Sequence, residues 1–415
     1  MKGILIFIIV FGLLVFVHEF GHFIVAKKSG ILVREFSIGF GPKLVQLRRS
    51  QTTYTIRWLP LGGYVRLAGS NDQSEIDPGT AVVLQTNDQG IVTRIDASES
   101  DLPIEGIPVR VSKADLVDEL TISGYENGDE SDLRTYKVDH DATMIDQDGT
   151  ELQIAPRDTQ FQEANVWHKL ATNFAGPFMN IVLGFVVFMV WSFAAPGPAT
   201  TTIAKVMPNS PAQSVLQKGD RIKAVNGRKT ADFAAVSEAI GNSKGKTLTI
   251  KLERGGKEAS VKLTPKYDKK SKSYLVGIVA ATDESAKVKL KRGWTSAVQT
   301  TGMIFSAVGD LFRHFSLNKL SGPVGIYSET SQVSSMGFTY LLAFLAMISI
   351  NLGIVNLIPI PGLDGGKLLL NLIELVRGKP ISEDHEAVVD LIGVVFLLLL
   401  IIAVTGNDIY RYFIK

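Results

Sequence analysis

The sequence predicts a polytopic α-helical membrane protein with about four transmembrane helices, a membrane-associated β-hairpin sheet and an inserted α+β domain. Three observations carry this. The apolar residues are gathered into long runs rather than spread evenly, and each run is long enough to cross a hydrocarbon core of about 30 Å. Residues 31–67 interrupt the helical pattern with short strand-like pieces punctuated by Gly and Pro. Residues 200–280 alternate strand and turn signals around one helical stretch.

The first run, Ile4 to Val17, passes directly into His18-Glu19-Phe20-Gly21-His22. Met1-Lys2 ahead of an apolar stretch resembles a secretion signal, but no small-residue cleavage site follows, so residues 1–30 are expected to form a retained span. On a helix, residues four apart stand on one face about 6 Å along the axis, so His18 and His22 can reach one cation. Glu19 then sits where a general base reaches water activated by that cation. Such side chains near a span end can simply cap the helix, yet ionisable groups facing lipid are costly, which favours a protein or water-lined interior and a functional role.

Residues 31–67 hold Glu35 to Pro42 and Tyr54 to Leu67, expected as a β-ribbon whose edge, around Gly39 to Leu44 or Tyr54 to Val65, could pair with an extended peptide. Residues 68–165 read as an acidic, β-rich cytoplasmic region with no assignable chemistry, having 22 acidic against 6 basic residues. His140 there is expected to be a titrating surface histidine, not a ligand. A second span covers 168–196, with its apolar part from Phe174 to Ala195. The domain at 200–280 reverses the charge balance, with 6 acidic against 16 basic residues, suited to anionic lipid or acidic tails or simply to solvent. Residues 291–320 place Trp294, Val298, Phe305, Phe312 and other apolar side chains at helical spacing among charges, as in an amphipathic surface helix. The third span and the loop after it occupy 336–366, and the fourth span 386–405.

Lys27, Lys28, Arg34, Lys43, Arg48 and Arg49 follow the first span, and Lys367, Arg377 and Lys379 separate the last two. Both loops are therefore expected on the cytoplasmic side, with the segment from about Lys27 to His168 inside and the 200–280 domain and both termini outside. Lys2, Arg411 and Lys415 oppose this weakly.

The chain has no Cys, which excludes disulfides and thiolate ligands and leaves His and carboxylate for metal binding. Asn356 through Gly366 interrupts an apolar helix with Pro359, Pro361 and three glycines, and non-helical backbone at this depth survives only where buried in protein or lining a cavity. Asp364 would supply a carboxylate oxygen there, although Asp-Gly is also a common turn pair. Asn356 would offer an amide to a peptide backbone.

Residues 200–280, with Gly219-Asp220 and Asn226-Gly227 flanking Arg221 to Val225, resemble a PDZ domain of the bacterial, circularly permuted kind. The peptide groove of such a domain should lie between Thr201 to Val206 and the helix near 232–241. Taken with His18 to His22, Gly176-Pro177-Phe178-Met179-Asn180 and Asn356 through Gly365, the chain resembles the site-2 protease family of intramembrane zinc metalloproteases, in particular bacterial members with one PDZ domain of the regulated intramembrane proteolysis type. The likeness is weakest over 68–165. It implies His18, His22 and Asp364 as Zn2+ ligands, Glu19 as catalytic base and Asn356 as a substrate-binding residue; Gly39, Gly41, Pro359 and Pro361 are placed with Asn356 in the candidate substrate site. It further implies a multi-pass plasma-membrane protein with its active site toward the cytoplasm and its PDZ domain outside. The expected partners are the lipid bilayer, single-span proteins such as anti-sigma factors, signal-peptide remnants, and peptide tails at the PDZ domain, with no nucleic acid. The PDZ domain could equally act as a filter against bulky ectodomains. Two other readings remain open here: a membrane-anchored PDZ adaptor or chaperone with a structural metal site, and a metal-ion transporter, which would require paired intramembrane carboxylates beyond Asp390.

Overall fold

The computed structural model describes residues 2–69, 76–98, 105–127, 129, 131–145, 151–269 and 271–411. The chain divides into two compact units, Met1–Gly184 with Thr300–Lys415, and Phe185–Gln299. Four of its helices are long and apolar enough to cross a membrane.

The first of these, α1 (Lys2–Lys28), ends on Lys27 and Lys28, whose charges suit the negative end of the helix dipole. Gly30, at φ 77°, lets the chain leave the helix in the left-handed region. Strands β1 (Val33–Arg49) and β2 (Thr52–Leu67) follow. They do not form a simple hairpin. Residues 33–38 pair with both 63–67 and 53–56, while 43–49 pair with 52–57, so the ribbon folds into four runs in the order 43–49, 52–57, 33–38, 63–67. The bends fall at Gly39, Gly41 and Gly62, all at positive φ. Tyr54 to Ile56 is thereby interior, and the run from Gly63 is an edge.

The acidic region carries β3 (Ala81–Thr86), β4 (Val92–Asp96), β5 (Ile107–Asp115), β6 (Thr121–Glu126), β7 (Leu133–Ile145) and β8 (Glu151–Gln153). Their order is β4-β3-β5-β6-β7-β8, and a parallel pairing of β4 with β7 closes the sheet on itself. Leu84, Val92, Ile95 and Ile122 fill its interior. Ribbon and barrel are tied together: Arg34 and Arg48 donate to the carbonyls of Gln153 and Glu151, and Leu32 and Phe161 join the two through backbone bonds to Thr159 and Ala68.

The second candidate span is α2 (Val166–Ala194), which holds Pro177 in its interior. The second unit continues with β9 (Ala199–Val206), β10 (Arg221–Val225), β11 (Arg228–Lys229), α3 (Phe233–Gly241), β12 (Leu248–Arg254), β13 (Lys257–Leu263), β14 (Lys266–Asp268), β15 (Ser273–Leu275) and β16 (Ile278–Thr282). Asp232 caps α3 by accepting from Ala235 N. Arg254 grips buried Asp220 through two nitrogens, fixing the turn before β10. Burial pushes the Asp220 carboxyl up, but Arg254 and the Gln217 amide outweigh it and hold it below the usual range. The main sheet runs β13-β12-β10-β9-β16. β16 takes the outer position, while β10 meets β9 only around Thr202, so Ala204 to Val206 of the expected groove strand pair on the β16 side alone.

Next comes α4 (Ala286–Arg313), with Leu290, Trp294, Val298, Phe305 and Phe312 exposed along one stripe. It stops at Arg313, short of the expected 320, because Ser316 turns extended and its hydroxyl caps a single 3-10 turn at 317–319. Pro323 then occupies the first turn of a further helix, α5 (Pro323–Met336), ahead of the expected third span. Buried Asp408 accepts from the amides of Gly322 and Gly325 and anchors its start. The third candidate span is α6 (Phe338–Asn356), and after the Pro-Gly break come α7 (Asp364–Arg377) and the fourth candidate span, α8 (Glu383–Ile409). Along α7 the polar side, with Asp364, Asn371 and Glu374, turns toward the protein while Leu372 and Val376 are exposed, the reverse of a water-facing helix.

Candidate metal centre

His18 and His22 lie one turn apart on α1, as their spacing requires. Gly21 faces α2, and a Cβ there would sit 2.4 Å from the Ala175 carbonyl, so the absence of a side chain lets the two helices touch. Close approach continues at Gly176, where a Cβ would lie 2.1 Å from His22 Nε2. On the far side of α2, Gly353 of α6 packs against the Pro177 carbonyl, and Ser349 donates to the Asn180 carbonyl at 2.6 Å. Small residues thus clamp α2 between α1 and α6.

The break after α6 brings in the third group. Pro359 is exposed, Gly362 adopts φ 85°, and Gly393 of α8 approaches so closely that a Cβ would fall 2.2 Å from the Pro361 carbonyl. Asp364 then opens α7 with its carboxylate against both imidazoles: His18 Nε2 to Asp364 Oδ2 is 3.1 Å, His22 Nε2 to the same oxygen 3.4 Å, and the two Nε2 atoms are 3.3 Å apart. Their side-chain exposures of 13%, 11% and 18% keep bulk water away without sealing the site. Among the described residues this is the one group of three His or carboxylate ligand atoms that converge.

These distances fit a cation. A tetrahedron with metal–ligand bonds of about 2.0 Å has edges of about 3.3 Å, and three edges of that length are present. His22 Nδ1 lies 2.7 Å from the Thr172 carbonyl, so Nδ1 carries the proton and Nε2 is left as an acceptor. For His18 the Asn180 amide is decisive. Its Nδ2 is placed 3.2 Å from His18 Nδ1, while its buried Oδ1 has no partner. Turning the amide by 180° lets Oδ1 accept from a protonated Nδ1, which leaves His18 Nε2 bare. Both histidines then present bare Nε2 lone pairs to each other and to a carboxylate, an arrangement that repels itself until a divalent cation sits between them. The three converging ligand atoms among the described residues are one fewer than a closed structural zinc site uses.

Glu19 lies within electrostatic reach of both histidines, Asp364 and Lys367. The ribbon edge comes to it: a Cβ on Gly63 would be 3.0 Å from Glu19 Cγ and 2.9 Å from Val15 Cγ1. Gly39 and Gly41 are instead at the bend of the ribbon, with Gly39 held against the Leu59 and Arg57 carbonyls. Asn356 closes α6, eight residues before Asp364 along the chain. Lys169, buried on α2, pairs with Glu374 of α7 at 2.9 Å and ties the helix holding Asp364 to the helix that orients the histidines. Sequence reasoning did not single out Gly63 or Thr172, and it met Gly176 and Asn180 only as ends of a family motif, with no role assigned to either. The four-residue step from Gly176 to Asn180, one face of one helix, was the signal available for the last two.

Residues 6–400 match peptidase family M50. A protein of Enterococcus faecalis named "Probable protease eep" is 46% identical over 421 residues, covering 100% of both chains. A Lactococcus lactis protein named as a candidate zinc metalloprotease is 46% identical over 431 residues, again covering 100% of both. A similarly named Streptococcus pyogenes protein is 45% identical over 421 residues with the same coverage. Among solved structures, the PDZ domain of an SdrC-like protein from Listeria innocua is 24% identical, covering 21% of this chain and 96% of that one, with a TM-score of 0.19.

Proposed function

The chain belongs to peptidase family M50, and from that premise we propose an intramembrane zinc metalloprotease that cleaves single-span membrane proteins or signal-peptide remnants within or at the cytoplasmic edge of the bilayer. The observation that carries this reading is the convergence of His18, His22 and Asp364 at ligand-edge distances on helices apolar enough to lie in a membrane. His18 Nε2, His22 Nε2 and an Asp364 oxygen would hold Zn2+, with Thr172 and Asn180 fixing the imidazole orientation. When bound, zinc supplies Lewis-acid polarisation of the scissile carbonyl and makes water acidic enough to ionise near neutral pH.

Glu19 takes the proton from the attacking water and returns it to the leaving amine. A helical substrate hides its carbonyls in its own hydrogen bonds, so it has to unwind before attack. The ribbon edge at Gly63 supports that step, because its free strand runs past Glu19 and can pair with an extended segment. Asn356 binds the exposed substrate backbone, and Pro359 and Pro361 keep the loop before Asp364 from closing into helix. An open fourth position favours catalysis over the closed site of a structural metal, and so over the adaptor reading. In the second unit the free edge of β16 suits strand addition by a peptide tail.

The test is Glu19→Gln. Zinc content should stay stoichiometric while cleavage of a single-span substrate falls by about 10²–10⁴-fold. Unchanged cleavage with zinc still bound would remove Glu19 from the mechanism.

A further inference from the structure

A second polar cavity lies outside the metal centre, at the junction of α1, the ribbon and the acidic barrel. It encloses about 360 Å³ and is lined by Lys27, Gln51, His140, Asp141, Gln153 and Thr159 among others. Gln153, 4% exposed, donates from Nε2 to Asp141 Oδ1 at 2.9 Å, which places its amide end beside that carboxylate. Its Oε1 has no partner. His140 is used up on both sides, with Nε2 at 3.0 Å from Asp158 and Nδ1 at 3.2 Å from Asp141. Neither aspartate has a Lys or Arg ion-pair partner among the described residues. Lys27, which shares the wall with the basic His140, holds its ammonium over the Phe23 ring. Asp141 thus lacks a Lys or Arg partner, and Gln153 Oε1 lacks any partner, among the described residues.

We propose that this cavity binds a lysyl ammonium or arginyl guanidinium from the cytoplasmic flank of the substrate, seated between Asp141 and Gln153 Oε1. The inference rests on the proposed protease function and its orientation. Membrane proteins carry Lys and Arg just beyond the cytoplasmic ends of their spans, so this chemistry is what a single-span substrate delivers. A metal ion is the poorer occupant, since among the described residues no third ligand atom converges here. The position along the substrate also follows. Gly63, beside Glu19, pairs with Ile38, and Leu67 at the end of the same run pairs with Val33, which lines the cavity. Beyond Leu67 the edge is closed by Ala68 bonding to Leu32 and Phe161. A segment paired along this edge runs level with Val33 about 13 Å, roughly four residues, past Glu19, but the 63–67 run lies between it and the cavity, so a long basic side chain has to cross the end of that run at Leu67, which puts the preferred base about four to six residues from the scissile bond.

The test reads binding, not hydrolysis, on the full chain carrying Glu19→Gln in lipid nanodiscs. Fluorescent single-span peptides carry one lysine stepped from about two to twelve residues beyond the cleavage segment, with glutamine in its place as the neutral control. Lysine near four to six should bind roughly tenfold tighter than glutamine. Asp141→Asn should erase that preference, Asp158→Asn should weaken it, Asp141→Glu should keep much of it, and Asp88→Asn, an exposed acid elsewhere on the barrel, should leave it intact. A preference that survives Asp141→Asn, falls equally with Asp88→Asn, or ignores lysine position overturns the site. So does loss of lysine binding to millimolar Mg2+ at constant ionic strength, which would mark a metal cavity. Because the peptide is never cut, any of these results leaves the protease reading standing; that reading falls separately, with Glu19→Gln cleavage.

Discussion

Two clusters of His and Asp in this molecule have nearly the same composition and opposite geometry. At His18, His22 and Asp364, each Nδ1 faces a group on α2, and the two Nε2 atoms and a carboxylate oxygen are left 3.1 to 3.4 Å apart with nothing to hold them together. At His140, both ring nitrogens are spent on aspartates, so no ligand atom is left over. Residue types alone do not make a metal site. What makes one is a second layer of partners that occupies the wrong nitrogen and frees the right one.

The strongest way to break the contrast is Gly176→Ala. Its Cβ would stand 2.1 Å from His22 Nε2, far inside van der Waals contact, so the ring or the helix has to move. Stoichiometric zinc should be lost and proteolysis with it, by at least the roughly 10³-fold expected when a catalytic metal ligand is displaced. Elemental analysis of the purified protein gives the answer, with its thermal transition as the check on folding. Zinc retained at one per chain would mean that α2 can draw back from α1 and that the close packing is incidental.

A finer test concerns Asn180. If its oxygen accepts from His18 Nδ1, Asn180→Ala should weaken zinc binding by about 10–100-fold in competition with a chelator. Asn180→Asp, an acceptor at either oxygen, should restore most of it. Equal loss in both variants would show that the side chain serves packing instead of orienting the ring.

How much of this was legible in the sequence differs from one residue to the next. The shared face of His18 and His22 follows from helical spacing, and the arrival of Asp364 from the cost of Pro359, Pro361 and Gly362 in an apolar run. The four apolar helices follow from hydropathy over a length no folded core needs. Gly63 was not legible, because its place beside Glu19 depends on three glycine bends folding the ribbon into four runs, and bend order is not encoded in alternation. The free edge at β16 was missed for a related reason. That strand follows Gly277, some seventy residues after β9, and only tertiary pairing shows that it takes the outer position. Helix α5 was hidden by its polar composition, which the Asp408 contact with its first turn offsets.

The smallest expected effect sharpens the comparison from its inert side. Asp158, and after it Asp141 against the opposing pull of burial, raise the His140 pKa above the ordinary value of about 6.5. A histidine whose folded pKa is raised contributes stability that is fully present below the unfolded value and is lost as pH rises through the folded one. The barrel should therefore be slightly more stable at pH 6 than at pH 8, by an amount that its 46% exposed side chain keeps small. Histidine NMR of the full chain should show one resonance titrating above 6.5, and Asp158→Asn should bring that midpoint down by more than Asp141→Asn does. Adding Zn2+ should leave this resonance in place, because both of its nitrogens are already committed. A zinc-induced shift at His140 with the metal centre intact would show that its carboxylates yield to a cation, and the distinction between the two clusters would then be one of affinity, not of geometry.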